Sequence, residues 1–167
     1  ENEKKHYIGL ARLCRALQYY GLIKNYGSAP WYSAPIATDD EEALYKTQDS
    51  RSLVVDSVMA DLQYACDYMQ EGSSRTRVTR YAALGYMARI ALHEGTFRKY
   101  HEEISELAGT VNSFLEKAVW ATDEIMSSGQ FEITGKGAAA YRDLFTNPDL
   151  SKNKEMILFS DYDKDLN

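Results

Sequence analysis

Apolar residues return at three- and four-residue steps over most of the chain, the period of a helix that buries one face. The first such run extends from about Lys4 to Tyr26, with Leu10, Leu13, Cys14, Leu17 and Tyr20 on one face and Lys24 in its last turn. Gly27 supplies the left-handed position that stops a helix, and Pro30 follows three residues later. A long polar loop then runs from Ser28 to about Asp49, with Pro30, Pro35 and the acidic run Asp39-Asp40-Glu41-Glu42. Loops of that length inside a compact domain are usually functional or disordered.

A second helix starts near Ser50, with Asp49 or Ser50 as its cap. Val54, Val55, Val58, Met59, Leu62, Ala65, Cys66 and Met69 keep the helical period up to Glu71-Gly72. A turn from Ser73 to Thr76 leads to Thr79, placed to cap a third helix from Arg80 to Glu94 that Gly95 closes. Small residues fill that helix (Ala82, Ala83, Gly85, Ala88, Ala91), so a neighbouring backbone can come close. Residues 96–112 read as polar and irregular, with a short helix through Glu102 to Leu107. The fourth helix, about Ser113 to Ser128, carries Phe114, Leu115, Ala118, Ala121 and Ile125 and ends at Gly129. Beyond it Phe131 and Ile133 alternate, Tyr141 to Phe145 reads as a turn or two of helix, and Met156-Ile157-Leu158-Phe159 as a short strand. The expected fold is mainly α: helical hairpins, second with third and third with fourth, and a short strand near the C-terminal end.

Composition narrows the function classes. The 167 residues, 44% of them hydrophobic, suffice for one real core. A formal charge of −6 with scattered basic residues argues against a nucleic-acid partner, which needs Lys and Arg gathered on one face. No stretch reaches the roughly 18 apolar residues that cross a bilayer, and residues 1–8 are charged rather than a signal peptide. The abrupt start and end suggest a piece of a larger protein. Cys14 and Cys66 lie in helical patterns and read as buried free thiols, with a disulfide between them the alternative left open. Thirteen Tyr, five Phe and two Trp make the chain rich in aromatics, which serve helix packing and the gripping of polar ligands alike.

Catalytic chemistry finds little support. His6, His93 and His101 lack metal-ligand spacing, and there is no H-E-x-x-H, no G-x-S-x-G and no glycine-rich phosphate loop. His93, Glu94 and His101 read as a polar helix end rather than a metal cluster. No pair of carboxylates stands out as a glycosidase couple. Asp161, Asp163 and Asp165 have the spacing that opens a calcium loop, but Leu166 stands where its glycine belongs and no closing Glu follows. The expectation is a non-catalytic protein with no cofactor and no resident metal.

Tyr81-x-x-Leu84-Gly85-x-x-Ala88 resembles the opening of a tetratricopeptide repeat, a unit that displays a surface by stacking helical hairpins. Four separate stretches, in order, the third of them spanning that segment, resemble the SusD/RagB family. They are Gly9-Leu10-Ala11-Arg12-Leu13-Cys14-Arg15-Ala16-Leu17 through Tyr26-Gly27-x-x-Pro30; Val58-x-x-Asp61-Leu62-x-x-Ala65; Arg77 through Gly95; and Ala118-x-x-Ala121-x-x-x-Ile125-x-x-x-Gly129-x-Phe131. Leu10 stands where the family has Glu, Ser28 where it has Asp, and residues 100–112 look like an insertion.

The resemblance implies that 1–167 is the TPR-like helical part of an outer-membrane, cell-surface lipoprotein. Its lipid-bearing N-terminal segment and variable C-terminal region would lie outside this chain. It implies an oligosaccharide or polysaccharide ligand, a SusC-like TonB-dependent transporter as partner, and membrane attachment only through that lipid anchor. The candidate ligand-binding residues are Trp31 and Tyr32, as aromatic faces for sugar rings, with Asp39 and Asp40 accepting hydroxyl hydrogen bonds. Trp31 as an anchor of the loop, and the acidic run as a solvated surface, stay open beside that reading. The alternative function is a TPR-type interaction module that binds a peptide or partner protein. A third reading makes this half mainly the docking surface, which requires an exposed apolar patch on the helix faces.

Overall fold

The computed structural model describes residues 1–107, 109–133, 135 and 137–160. Its elements are α1 (Asn2–Tyr26), α2 (Glu41–Leu44), α3 (Arg51–Tyr68), α4 (Arg80–Tyr100), α5 (Val111–Ser127) and α6 (Ala138–Thr146), with a 3-10 turn at Ser105–Leu107. The extensive packing is α1 on α3 and α4 on α5, and α3 against α4 joins the two pairs. The first pair went unforeseen because the 28–49 loop separates its helices in sequence.

In α1 the buried residues are Gly9, Leu13, Ala16, Tyr20 and Ile23, a strict alternation of four- and three-residue steps. The buried stripe is rotated from the one the apolar pattern suggested. Leu10 and Leu17 fall on its edges, partly buried. Cys14 is exposed and only Cys66 is buried, both as free thiols, which corrects the expectation of two buried ones. Gly9 explains the rotation: a Cβ there would lie 2.7 Å from Met69 Cγ and 3.5 Å from Ala65 Cα, so α3 rides over α1 at its smallest residues. Val54, Val55, Val58, Leu62, Ala65 and Cys66 answer from α3, Tyr81, Ala83, Leu84, Met87 and Ile90 from α4, and Phe114 and Ala121 from α5.

The helix ends follow local chemistry. Gly27, at φ 80°, ends α1 with its N–H on Ile23 O. The Ser50 hydroxyl accepts from Leu53 N–H and starts α3. That helix stops at Tyr68, short of Glu71-Gly72, because Arg80 Nε occupies the Cys66 carbonyl at 2.7 Å and Arg80 N–H the Gln70 carbonyl at 3.0 Å. Thr79 precedes α4 as expected, though its side chain makes no capping bond.

Gly95 does not close α4; the helix runs on through it to Tyr100. A Cβ at Gly95 would stand 2.8 Å from Leu115 Cδ2 and 3.3 Å from Phe114 Cβ, so the glycine is there for the crossing with α5. His93 and Glu94 accordingly sit within the helix, not at its polar end. The expected strand at Met156–Phe159 is not formed: among the described residues there is no strand, and the segment bends across α4. It is held by Phe159 N–H on Arg75 O at 2.9 Å and by the Arg75 guanidinium donating to Met156 O. A second strand would have to supply the remaining backbone partners, and among the described residues none lies beside it.

Two charged groups pin the pairs together. Arg15 binds the buried Asp61 through both carboxylate oxygens, at 2.7 and 2.8 Å, tying α1 to α3. That bond pushes the Arg15 guanidinium above its ordinary value. Glu94 is fully buried between Arg51 and Arg98, accepting from Arg51 Nη2 at 2.7 Å and from Arg98 Nε at 2.9 Å. Arg98 goes on to the Thr110 hydroxyl at 2.7 Å, just ahead of α5. This one carboxylate therefore joins α3, α4 and the start of α5.

Candidate functional site

The loop between α1 and α3 is closed and built rather than slack. Its ends pair through Asp49 N–H on Ala29 O at 3.1 Å. Asp49 also accepts from Trp31 N–H at 2.7 Å and from Lys46 Nζ at 2.6 Å, so one carboxylate gathers both sides of the loop. The Lys46 bond, then that of Trp31, holds the Asp49 carboxyl below its usual value. The stability this contributes is present above the ordinary carboxylate range near pH 4 and lost as pH falls below it, so acid loosens the clasp.

Trp31 is half-buried. Its ring packs on Tyr19 at 4.4 Å between centroids, and the Arg15 guanidinium lies 4.9 Å from its centre. Tyr32 N–H donates to the Tyr19 hydroxyl at 3.0 Å, and the Tyr32 hydroxyl donates to Ala43 O at 2.6 Å. Asp40 caps α2, its carboxylate accepting from Ala43 N–H at 3.0 Å. Asp39 is exposed beside it. The fold thus gathers Trp31, Tyr32, Asp39 and Asp40 on one loop, with Trp31 laid against the helices and Tyr32 and Asp40 tied to α2. Of the residues that fix this arrangement, Lys46 and Asp49 carried no motif in the sequence, and Tyr19 lies in the first family-like stretch without pointing to the loop. The available signals were that stretch and the Asp before the Ser50 cap.

The histidines lie apart. His93 Nδ1 shares a 2.6 Å hydrogen bond with the Tyr20 hydroxyl, while His101 Nδ1 meets Phe97 O at 2.8 Å and its ring stacks on Phe97. Among the described residues no three metal-binding side chains converge. Asp161, Asp163 and Asp165 lie outside the described residues.

The outer side of α4 and α5 carries an apolar strip. Leu92 from α4 and Leu115, Val119 and Thr122 from α5 border a groove of about 420 Å³. Met126 continues the α5 row into a second groove of about 480 Å³ with Phe131, Ile133 and Ile157. Leu92, Val119, Met126 and Ile133 are more than half exposed.

Stacked helical hairpins with a closed loop between α1 and α3 and an open apolar strip along α4 and α5 define a TPR-like scaffold. Residues 1–92 match the model of a SusD-like family described as starch-binding and associating with the outer membrane. The match covers more than half of the chain, and the chain belongs to that family. SusD-like protein P2 of Formosa agariphila is 31% identical over 105 residues, 62% of this chain and 20% of its own length. SusD-like protein P25 of the same organism is 27% identical over 158 residues, 93% of this chain and 25% of its own. The chain therefore spans a fifth to a quarter of the curated relatives it matches. A solved SusD-like protein from Bacteroides fragilis shares the fold, with a TM-score of 0.73 at 21% identity over 97% of this chain and 28% of that one.

Proposed function

We propose that this chain is the TPR-like part of a cell-surface lipoprotein that captures oligosaccharides and delivers them to a TonB-dependent, SusC-like outer-membrane transporter. The observation that carries this reading is the match of residues 1–92 to a starch-binding, outer-membrane-associating family. The role is binding, not catalysis, and attachment to the membrane is through a lipid anchor outside residues 1–167. The apolar strip along Leu92, Val119 and Met126 supports a docking share for this half, since exposed patches of this kind mark partner surfaces. Trp31, Tyr32, Asp39 and Asp40 are the loop residues proposed to meet sugar.

The full-length protein, tagged and isolated from outer membranes under mild detergent, should bring down a TonB-dependent barrel. Val119→Asp with Met126→Asp should abolish that recovery while leaving glycan binding in place. Recovery of no barrel from unsubstituted protein would refute the delivery role. Trp31→Ala with Tyr32→Ala should weaken glycan affinity; unchanged affinity would remove the loop from the ligand site.

A further inference from the structure

The cleft between α1 and α4 holds a polar cluster apart from the loop, and it shares only Arg89 with the groove of the apolar strip. Tyr20 and Lys24 reach it from α1, and Tyr86, Arg89 and His93 from α4, around a cavity of about 190 Å³. Among the described residues neither Lys24 nor Arg89 makes an ion pair, although Arg12, Arg15, Arg51, Arg80 and Arg98 each meet a carboxylate. Behind the cleft, Tyr20 donates to Glu94 at 3.5 Å, but Glu94 is already held by two guanidiniums, so that group carries one net positive charge. Glu155 lines the neighbouring cavity, which shares Tyr86 and Arg89. On a chain with formal charge −6 this is a local concentration of cations beside two phenol rings.

We infer that this cleft is a subsite for the carboxylate or sulfate group of an acidic sugar residue. The inference rests on the saccharide-binding reading above and names a ligand class for it. Lys24 and Arg89 offer charged N–H donors, the donors that make the strong hydrogen bonds to such oxygens. Tyr86 offers a partly exposed ring face with a polar tip and Leu17 an apolar edge for the ring carbons, while Tyr20, nearly buried with its hydroxyl on His93, and Ile90 form the floor. The cavity is smaller than the roughly 300–1,000 Å³ of a whole small-molecule site, which suits one residue of a longer chain.

The test is calorimetry of the full-length protein with a uronic-acid oligosaccharide and its carboxyl-reduced counterpart, a sulfated oligosaccharide and its desulfated counterpart, and sodium sulfate. The acidic member of at least one pair should bind about tenfold more tightly, as loss of a charged hydrogen bond implies. Lys24→Met with Arg89→Gln should bring that ratio close to one, and Arg89→Lys should keep most of it. Neutral members binding as well as acidic ones, or a ratio untouched by the double substitution, would overturn the subsite while leaving saccharide capture standing. Sodium sulfate binding as tightly as the sulfated sugar would make this an inorganic-anion site and overturn the sugar assignment. Silence toward every saccharide would overturn the capture reading and the subsite with it.

Discussion

Glu94 is the residue whose removal the fold should feel most. It is fully buried and holds Arg51 and Arg98, themselves nearly buried, while Phe97 and Phe114 lie against their guanidinium planes. Glu94→Ala leaves two buried cations without a counter-charge, which costs about 3–5 kcal/mol when a buried pair is broken. Urea denaturation of the variant should show that loss; a change below about 1 kcal/mol, the value of an exposed pair, would contradict the burial argument. The two cysteines give a second check. Burial pushes the Cys66 thiol up to about 12, and burial with the nearby Glu94 pushes the Tyr20 phenol up as well. Both groups are neutral in the folded chain while the unfolded chain ionises near pH 8.5 for Cys and 10 for Tyr. Their contribution to stability is therefore complete below about pH 8.5 and lost as pH rises toward the folded values. Denaturation midpoints should fall from pH 7 to pH 10, and Cys66→Val should flatten that fall. A thiol reagent at pH 8 should modify Cys14 quickly and Cys66 only on unfolding; rapid modification of both would contradict the packing of α3.

At the scale of elements, the crossing of α4 and α5 depends on Gly95. A larger residue would improve helix propensity by up to about 1 kcal/mol, but the gain is outweighed if Leu115 and Phe114 must move. Gly95→Val should destabilise by about 1–3 kcal/mol through overpacking. An unchanged or raised melting temperature would show that α5 can slide away at little cost. The same crossing explains why a glycine that looked like a stop signal was continuous helix: a glycine marks a helix end or a close approach, and one sequence without its partner helix does not say which.

For the whole molecule, the helical class, the boundaries of α1 and α5, and the stacked hairpins were legible because they rest on apolar spacing, Gly27 and Gly129. The phase of α1 was not, since Gly9 and Ala16 bury as contact points without looking hydrophobic. The α1–α3 pairing was hidden by the intervening loop, and the strand at 156–159 was read from apolar content that instead covers α4. Trp31, Tyr32, Asp39 and Asp40 were legible as one loop. Its clasp was not, because the Lys46–Asp49 pair carries no motif and Tyr19 meets Trp31 and Tyr32 only once the loop folds back on α1. The cationic cleft was equally invisible, because Lys24 and Arg89 come together only across two helices.

Calorimetric titration of the full-length protein against a panel of polysaccharides and oligosaccharides tests the central claim most directly. Saturable micromolar to millimolar binding to one glycan class, with the glycan recovered unchanged, is the result this account predicts. No heat with any glycan, together with saturable binding of a peptide, would contradict it and make the helical stack a protein-interaction module.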